Sequence, residues 1–169
     1  FGFTVRDADG DPASGQLTVV VRDDGPNVSS TSTCVDESCA WDMVGSHEDG
    51  IWATATVGSP LVASGTVPFS FGQDGSGSID LLSGPSGLRH HGQSVSVAVS
   101  GNSATGTLAD GTLVFTLVVN AVTGAYTYKQ YASLDHADHQ NPNDVTTLGF
   151  NVRVTDADGD SVRSTLTVA

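Results

Sequence analysis

The clearest strand signals of the sequence lie in the segment Phe150-Asn-Val-Arg-Val-Thr-Asp-Ala-Asp-Gly-Asp-Ser-Val-Arg-Ser-Thr-Leu-Thr-Val-Ala169. Runs rich in β-branched residues flank an acidic turn, which predicts the strands Leu148 to Thr155 and Arg163 to Val168. The acidic motif Asp-Ala-Asp-Gly-Asp begins at Asp156 and also at Asp7, so the period is 149 residues. Residues 1–20 match residues 150–169 at 10 of 20 positions without a gap. The chain therefore holds one period of a tandem repeat and a second copy of its last hairpin.

The rest of the chain is also dominated by strand signals, cut at short intervals by Gly, Asn-Pro, Asp-Gly and Ser-Gly. Short strands with polar turns and no convincing helix indicate an all-β protein, a Greek-key β-sandwich of immunoglobulin-like or cadherin-like kind with calcium-binding loops. The other predicted strands are Phe1 to Arg6, Gln16 to Arg22, Ile51 to Val57, Thr66 to Phe71, Ser78 to Leu82, Ser94 to Val99, Thr112 to Val119 and Ala125 to Tyr131.

A breaker, Asp23-Asp24-Gly25-Pro26, follows the first hairpin, because Pro lacks a donor for a strand ladder and Gly permits a positive φ. We predict a domain boundary there. Residues 1–26 would be the terminal hairpin and linker of a preceding repeat, and residues 27–169 would form one β-sandwich repeat domain. The hairpin could complete this sandwich in place of residues 150–169, belong to a neighbouring unit, or pair with another molecule.

The charge balance restricts the partners. The chain has 19 acidic residues against 6 Lys and Arg, a formal net charge of −13. Such a charge repels nucleic acid and anionic lipid, so we expect no nucleic-acid partner and no direct membrane insertion. Cations are the expected partners instead.

The repeated acidic motif predicts calcium sites. In an extended strand its three carboxylates would lie about 6.6 Å apart, too far for one ion. The Gly after the second Asp lets the backbone curl and bring the carboxylate oxygens together, as calcium requires. The alternative is an acidic hairpin turn, since Asp and Gly favour turns. The predicted Ca²⁺ ligands in the two motifs are Asp7, Asp9, Asp11, Asp156, Asp158 and Asp160.

Other acidic residues near the boundary are candidates to share an ion across the joint between units: Asp23, Asp24, Asp36 and Glu37. The alternative is a solvated acidic face. Asp74-Gly75 and Asp110-Gly111 are typical of turns and are predicted to be turns. The segment Asp135 to His139 offers Asp and His side chains, but it lacks a clear fourth partner for a transition metal.

The two cysteines lie close together in the sequence, at Cys34 and Cys39. In an oxidising compartment this spacing predicts a possible local disulfide. Two free thiols and half of a metal site are the alternatives.

Several short motifs follow one another along the chain in a characteristic order and spacing. They are the two acidic hairpins, each with Leu-Thr-Val after the acidic motif, then Asp23-Asp-Gly-Pro26, Val35-Asp-Glu37, Phe71-Gly-Gln-Asp-Gly75, Gly124-Ala-Tyr-Thr-Tyr128 and Leu134-Asp-His136. Together these motifs resemble the long tandem repeat of giant type I-secreted RTX adhesins of Gram-negative bacteria. The resemblance covers nearly the whole chain and implies an extracellular extender domain with calcium in and between repeats.

The resemblance implies a structural module of a secreted, calcium-dependent adhesin that supports surface attachment and biofilm formation at the bacterial cell surface. Its partners would be neighbouring repeats of the same chain, with the adhesive ligand bound elsewhere in the parent protein. The alternative function is a carbohydrate- or protein-binding module at the adhesive end. We expect no enzymatic activity, because no nucleophile with a base and no pair of acids set in a cleft can be singled out.

Overall fold

A computed structural model describes residues 1–35, 60–137 and 144–169. Throughout these residues the secondary structure is all-β, with no helix, as the sequence predicts. The strands are β1 Gly2–Arg6, β2 Pro12–Gln16, β3 Asn27–Val28, β4 Thr31–Thr33, β5 Leu61–Thr66, β6 Phe69–Ser70, β7 Ser78–Ser83, β8 Arg89–His90, β9 Gln93–Ser94, β10 Ser96–Ser100, β11 Ser103–Thr107, β12 Leu113–Val119, β13 Ala125–Gln130, β14 Leu148–Thr155 and β15 Ser161–Val168.

Two sheets share one hydrophobic core. The larger has the order β10-β11-β12-β13-β5 and the smaller β4-β15-β14-β7. Alternate residues of β12, β13, β14 and β15 point into the core, which buries Phe115, Tyr128 and Phe150 almost completely. The ring of Phe150 in the smaller sheet lies 6.0 Å from that of Phe115 in the larger one, edge to face. This arrangement is consistent with a β-sandwich.

One edge of the smaller sheet is parallel, whereas the other pairings of the two main sheets are antiparallel. Strand β4 runs parallel to β15, with Thr31 opposite Leu166 and Thr33 opposite Val168. The pairing continues past the strand ends, because Val35 N–H donates to the Ala169 carbonyl at 2.8 Å. The segment that follows the linker is therefore joined to the last strand of the chain.

Strands β1 and β2 form a separate two-stranded sheet whose large apolar side chains are exposed. The prediction of Gln16 to Arg22 as a strand is wrong, because β2 spans Pro12–Gln16 and residues 17–26 are not in a strand. In the second copy, Thr167 and Val168 pair with Gly149 and Leu148. In the first copy, the residues equivalent to Gly149 and Leu148 would precede Phe1. Residues 18 and 19 therefore have no partner strand within the described residues.

The other predicted strands within the described residues fall close to observed ones, apart from one that is shifted. Thr66 to Phe71 is instead the end of β5 and the short β6, separated at Pro68, which lacks a ladder donor. Strands β3, β4, β8 and β11 and most of β5 were not predicted. The predicted strand Ile51 to Val57 lies outside the described residues. Among the described residues, no helix is long and apolar enough to cross a membrane.

Candidate metal centre

Three segments meet at one end of the two main sheets. They are the linker after the first hairpin, the loop between β6 and β7, and the acidic loop between β14 and β15. The first contact is a hydrogen bond from the Gln73 backbone N–H to Asp24 Oδ2 at 2.9 Å. Pairing of β3 with β6, through Asn27 opposite Ser70 and Val28 opposite Phe69, holds the linker beside the second segment. The sheet topology thus brings together acidic residues that are far apart in sequence.

Two groups of carboxylates lie at this meeting point. Oxygens of Asp156, Asp158 and Asp160 lie within 4.8 Å of one another, and so do oxygens of Asp23, Asp74 and Asp158. Ligand oxygens on opposite sides of a bound calcium ion are separated by about 4.6 to 5.2 Å. Each group is therefore compact enough to surround one cation. Because Asp158 belongs to both groups, they form one continuous cluster, which we call the joint cluster: Asp23, Asp74, Asp156, Asp158 and Asp160.

Asp156 shows that the joint cluster differs from an ordinary acidic surface. Its side chain is only 5% exposed. Its Oδ1 accepts the Gly159 backbone N–H at 3.1 Å, whereas its Oδ2 is buried and has no hydrogen-bond partner among the described residues. Asp74 Oδ2 is likewise buried and has no partner within the part of the chain that the structure describes. Buried carboxylate oxygens without partners are costly, and a hard cation bound by oxygen ligands would satisfy both. The donor set therefore fits calcium.

The electrostatics of the joint cluster point the same way. Burial and the charge of Asp158 raise the pKa of Asp74, with Asp23 adding to the effect. The pKa of Asp156 is raised by burial and by the neighbouring carboxyl group of Asp158. The charges of Asp158 and Asp23 raise the pKa of Asp160. Each raised pKa means that the folded protein disfavours these charges and favours whatever neutralises them.

This predicts an unusual dependence of stability on pH without divalent cations. A carboxyl whose pKa is raised on folding contributes stability at low pH, which is lost as the pH rises through the folded pKa. We therefore expect the free energy of unfolding in chelator to increase as the pH falls from neutral to about 4. Urea denaturation at several pH values measures it. The Asp74→Asn variant should show a shallower increase, and equal increases in both proteins would contradict the assignment to the joint cluster.

Close backbone packing holds the two loops of the joint cluster together. A Cβ placed on Gly77 would overlap the Thr155 carbonyl oxygen and lie 2.7 Å from Asp156 Cα. A Cβ on Gly72, which has a φ of 74°, would lie 2.9 Å from Asp24 Oδ2. Only glycine lets the β6–β7 loop approach both the linker and the acidic loop this closely.

The Gly77→Ala substitution should therefore destabilise the protein by about 1 to 3 kcal/mol, the usual cost of overpacking. The matched control is Gly149→Ala, whose Cβ would lie 3.6 Å from Thr165 Cγ2, an ordinary contact. The control should change stability by no more than about 0.5 kcal/mol. Urea denaturation of both variants checks the difference, and equal effects would show that the approach at Gly77 is not required.

The first acidic loop has the same backbone but different surroundings. Gly10 has a φ of 99° and Gly159 one of 107°. Asp7 N–H donates to the Asp11 carbonyl at 3.2 Å, as Asp156 N–H does to the Asp160 carbonyl at 3.0 Å. Oxygens of Asp7, Asp9 and Asp11 also lie within 4.8 Å of one another, but all three residues are exposed. A hydrogen bond with Asp9 and the Asp11 N–H lower the pKa of Asp7. The buried, unpartnered side-chain oxygens of the described residues include none from this loop, unlike its duplicate.

Three predicted residues, Asp36, Glu37 and Cys39, lie outside the described residues. Cys34 lies just after β4 and is exposed, and its pairing with Cys39 remains a prediction. Asp110 lies in a turn as predicted, because its Oδ1 accepts the Thr112 N–H at 2.9 Å. Asp135 accepts the backbone N–H groups of His91 and Gly92 at 2.7 Å each, so it anchors the β8–β9 turn.

Asp74 is the residue that sequence reasoning missed. Asp74-Gly75 was predicted as a turn, and Asp74 lies in a bend directly after the turn at Gly72 and Gln73, with Gly75 at a φ of 103°. The same turn also brings the Asp74 carboxylate to Asp23 and Asp158, positions that are distant in the sequence. A signal was present in the segment Phe71 to Gly75, which belongs to the adhesin-like pattern, but that pattern did not give Asp74 a role.

Comparison with known proteins gives one result. Neither the curated proteins nor the solved structures contain a match to the chain. A family model described as a domain of unknown function, DUF5801, matches residues 32–169. Since this match covers most of the chain, including the described strands β5–β15, the protein belongs to the DUF5801 family.

Proposed function

We propose that this chain is a structural extender module of a secreted, calcium-dependent bacterial adhesin, with a Greek-key, immunoglobulin-like sandwich as its body. It would act outside the cell, at the bacterial surface, where it would support attachment and biofilm formation as one of several units in an array. The duplicated hairpin supports the array, and the resemblance to RTX adhesin repeats supports the setting.

The observation that carries the proposal is the position of the joint cluster. Asp23 comes from the linker, whereas Asp74 and Asp158 come from two loops of the following domain. Calcium held by these oxygens would tie the linker to the domain. Without a cation, the crowded carboxylates repel one another and oppose the same contact.

The mechanical consequence follows from the linker length. The second copy of the hairpin remains in regular pairing up to Val168, which corresponds to Val19 in the first copy. With Asp23 fixed on the domain, only residues 20–22 would separate one unit from the next. So few residues leave little freedom for bending, whereas release of Asp23 and Asp24 lengthens the free segment. Calcium would therefore set the stiffness of the array.

Small-angle scattering on a protein with three units tests this. Appending residues 21–169 twice after Ala169 preserves the period of 149 residues. We expect a larger maximum dimension in calcium than in chelator, with unchanged circular dichroism. The control carries Asp23→Asn at both internal joints and should lose most of the difference. If the dimension of the unaltered array is the same in both conditions while its domains stay folded, calcium is not the stiffening agent.

A further inference from the structure

The first hairpin has one apolar face that is uncovered. Directly opposed residues of β1 and β2 share a face, and Phe3 opposes Gly15 while Val5 opposes Ala13. On the other face, Thr4 and Ser14 hydroxyls form a hydrogen bond at 3.1 Å. The hairpin is thus amphipathic, although none of its residues belongs to the core that the described residues form. The uncovered residues, which we call the hairpin face, are Phe1, Phe3, Val5, Leu17 and Val19, each at least 54% exposed.

In the second copy of the hairpin, the equivalent face is buried in the core. Its register is identical, because Val152 opposes Ser164 and Val154 opposes Val162 at the equivalent positions. Each residue of the hairpin face corresponds to a residue of β14 or β15 that is fully buried between the two main sheets. These residues are Phe150, Val152, Val154, Leu166 and Val168, all 0% exposed.

We propose that the hairpin face docks into a preceding unit of this same fold, in which residues 1–20 take the place that residues 150–169 hold here. The proposal deepens the proposed function by naming the neighbour, but it requires no calcium ion. The family match, which begins at residue 32, likewise leaves the first hairpin outside the unit.

Two other occupants are disfavoured by the structure. In this chain's own core, β14 and β15 occupy the position of the last hairpin. They do so in every complete second copy too, so this position is open only in a unit that lacks residues 150–169. The linker also opposes exchange within the chain, because Asp24 is held by Gln73 on the domain. A preceding unit whose own last hairpin is residues 1–20 would have this place open, so it is the partner that we favour for the hairpin face.

A fusion of residues 27–149 followed by the full chain tests the proposal, because residues 1–20 then follow residue 149 as residues 150–169 do. Hydrogen exchange with mass spectrometry measures the amides of β1 and β2. Amides in a fraying hairpin exchange almost freely, whereas core strands open only with global unfolding, so exchange of β1 and β2 should slow by at least about a hundredfold in the fusion. Val5→Asp on the hairpin face should abolish that protection, whereas Thr4→Asp on the polar face should not.

A control fusion, residues 27–169 followed by residues 21–169, differs by carrying the second hairpin at the joint. If the control folds as two units and the test fusion leaves its first unit unfolded, the proposal is wrong. It is also wrong if the amides of β1 and β2 are already protected from exchange in the 169-residue chain. If that protection rises with protein concentration, the hairpin face binds a second copy instead. Running both fusions in calcium and in chelator separates the two ideas, because hairpin protection in both conditions supports this inference even if calcium has no effect.

Discussion

The Phe150→Ala variant should lose about 3 to 5 kcal/mol of stability, whereas Phe1→Ala should change it by less than about 0.5 kcal/mol. The two residues occupy equivalent positions of the duplicated hairpin. Phe150 is fully buried and lies edge to face with Phe115, whereas Phe1 is 83% exposed. Removing the buried ring costs its transfer free energy and leaves a cavity between the sheets. Urea denaturation of both variants in the 169-residue chain measures the contrast.

Val154→Ala and Val5→Ala form a second matched pair. Val154 is 0% exposed and Val5 is 59% exposed, so only the first substitution should destabilise the domain. Equal losses within either pair would mean that the first hairpin is covered in solution. In that case the hairpin would already be packed against this chain or another copy, and the assignment of the core to the second hairpin alone would be wrong.

Sequence patterns predicted strands well where side chains determine them. Strand β14 has the predicted bounds, because its β-branched and aromatic residues alternate between the core and the outer face. The hairpin of β12 and β13 was equally clear, and Gly124, at a φ of 68°, completes its turn. In both cases the local pattern and the tertiary packing favour the same structure.

The patterns failed where the neighbours determine the strand. Strand β11 reads Ser-Ala-Thr-Gly-Thr, which is weakly apolar, yet Ala104 is fully buried. The strand needs small residues because the Phe115 ring lies over Gly106, where a Cβ would be 2.6 Å from Phe115 Cδ1. No local signal announces that contact. The joint cluster was also only partly predictable. The two acidic motifs are evident in the sequence, but the position of Asp74 beside them depends on how β6 and β7 pack.

Calcium at 10 mM should stabilise the protein by about 1.4 to 2.7 kcal/mol for each site occupied, if the dissociation constants lie between about 10⁻³ and 10⁻⁴ M as in extracellular modules. Asp158→Asn should abolish most of this gain, because Asp158 contributes to both groups of the joint cluster. Asp9→Asn is the matched control at the equivalent position of the exposed first loop. It should leave calcium stabilisation of the domain unchanged. Thermal denaturation in calcium and in chelator measures all three proteins.

The sign of the effect in chelator distinguishes a cation site from a merely acidic surface. Asparagine has the shape of aspartate but removes one charge from a place where carboxylates raise the pKa of Asp74 and Asp160. Asp158→Asn should therefore melt at a higher temperature than the unaltered protein in chelator and at a lower temperature in calcium. A structural role alone would lower the melting temperature in both conditions. The order of the two melting temperatures reverses only if Asp158 destabilises the protein without a cation and stabilises it with one. The same order in both conditions would count against calcium at the joint.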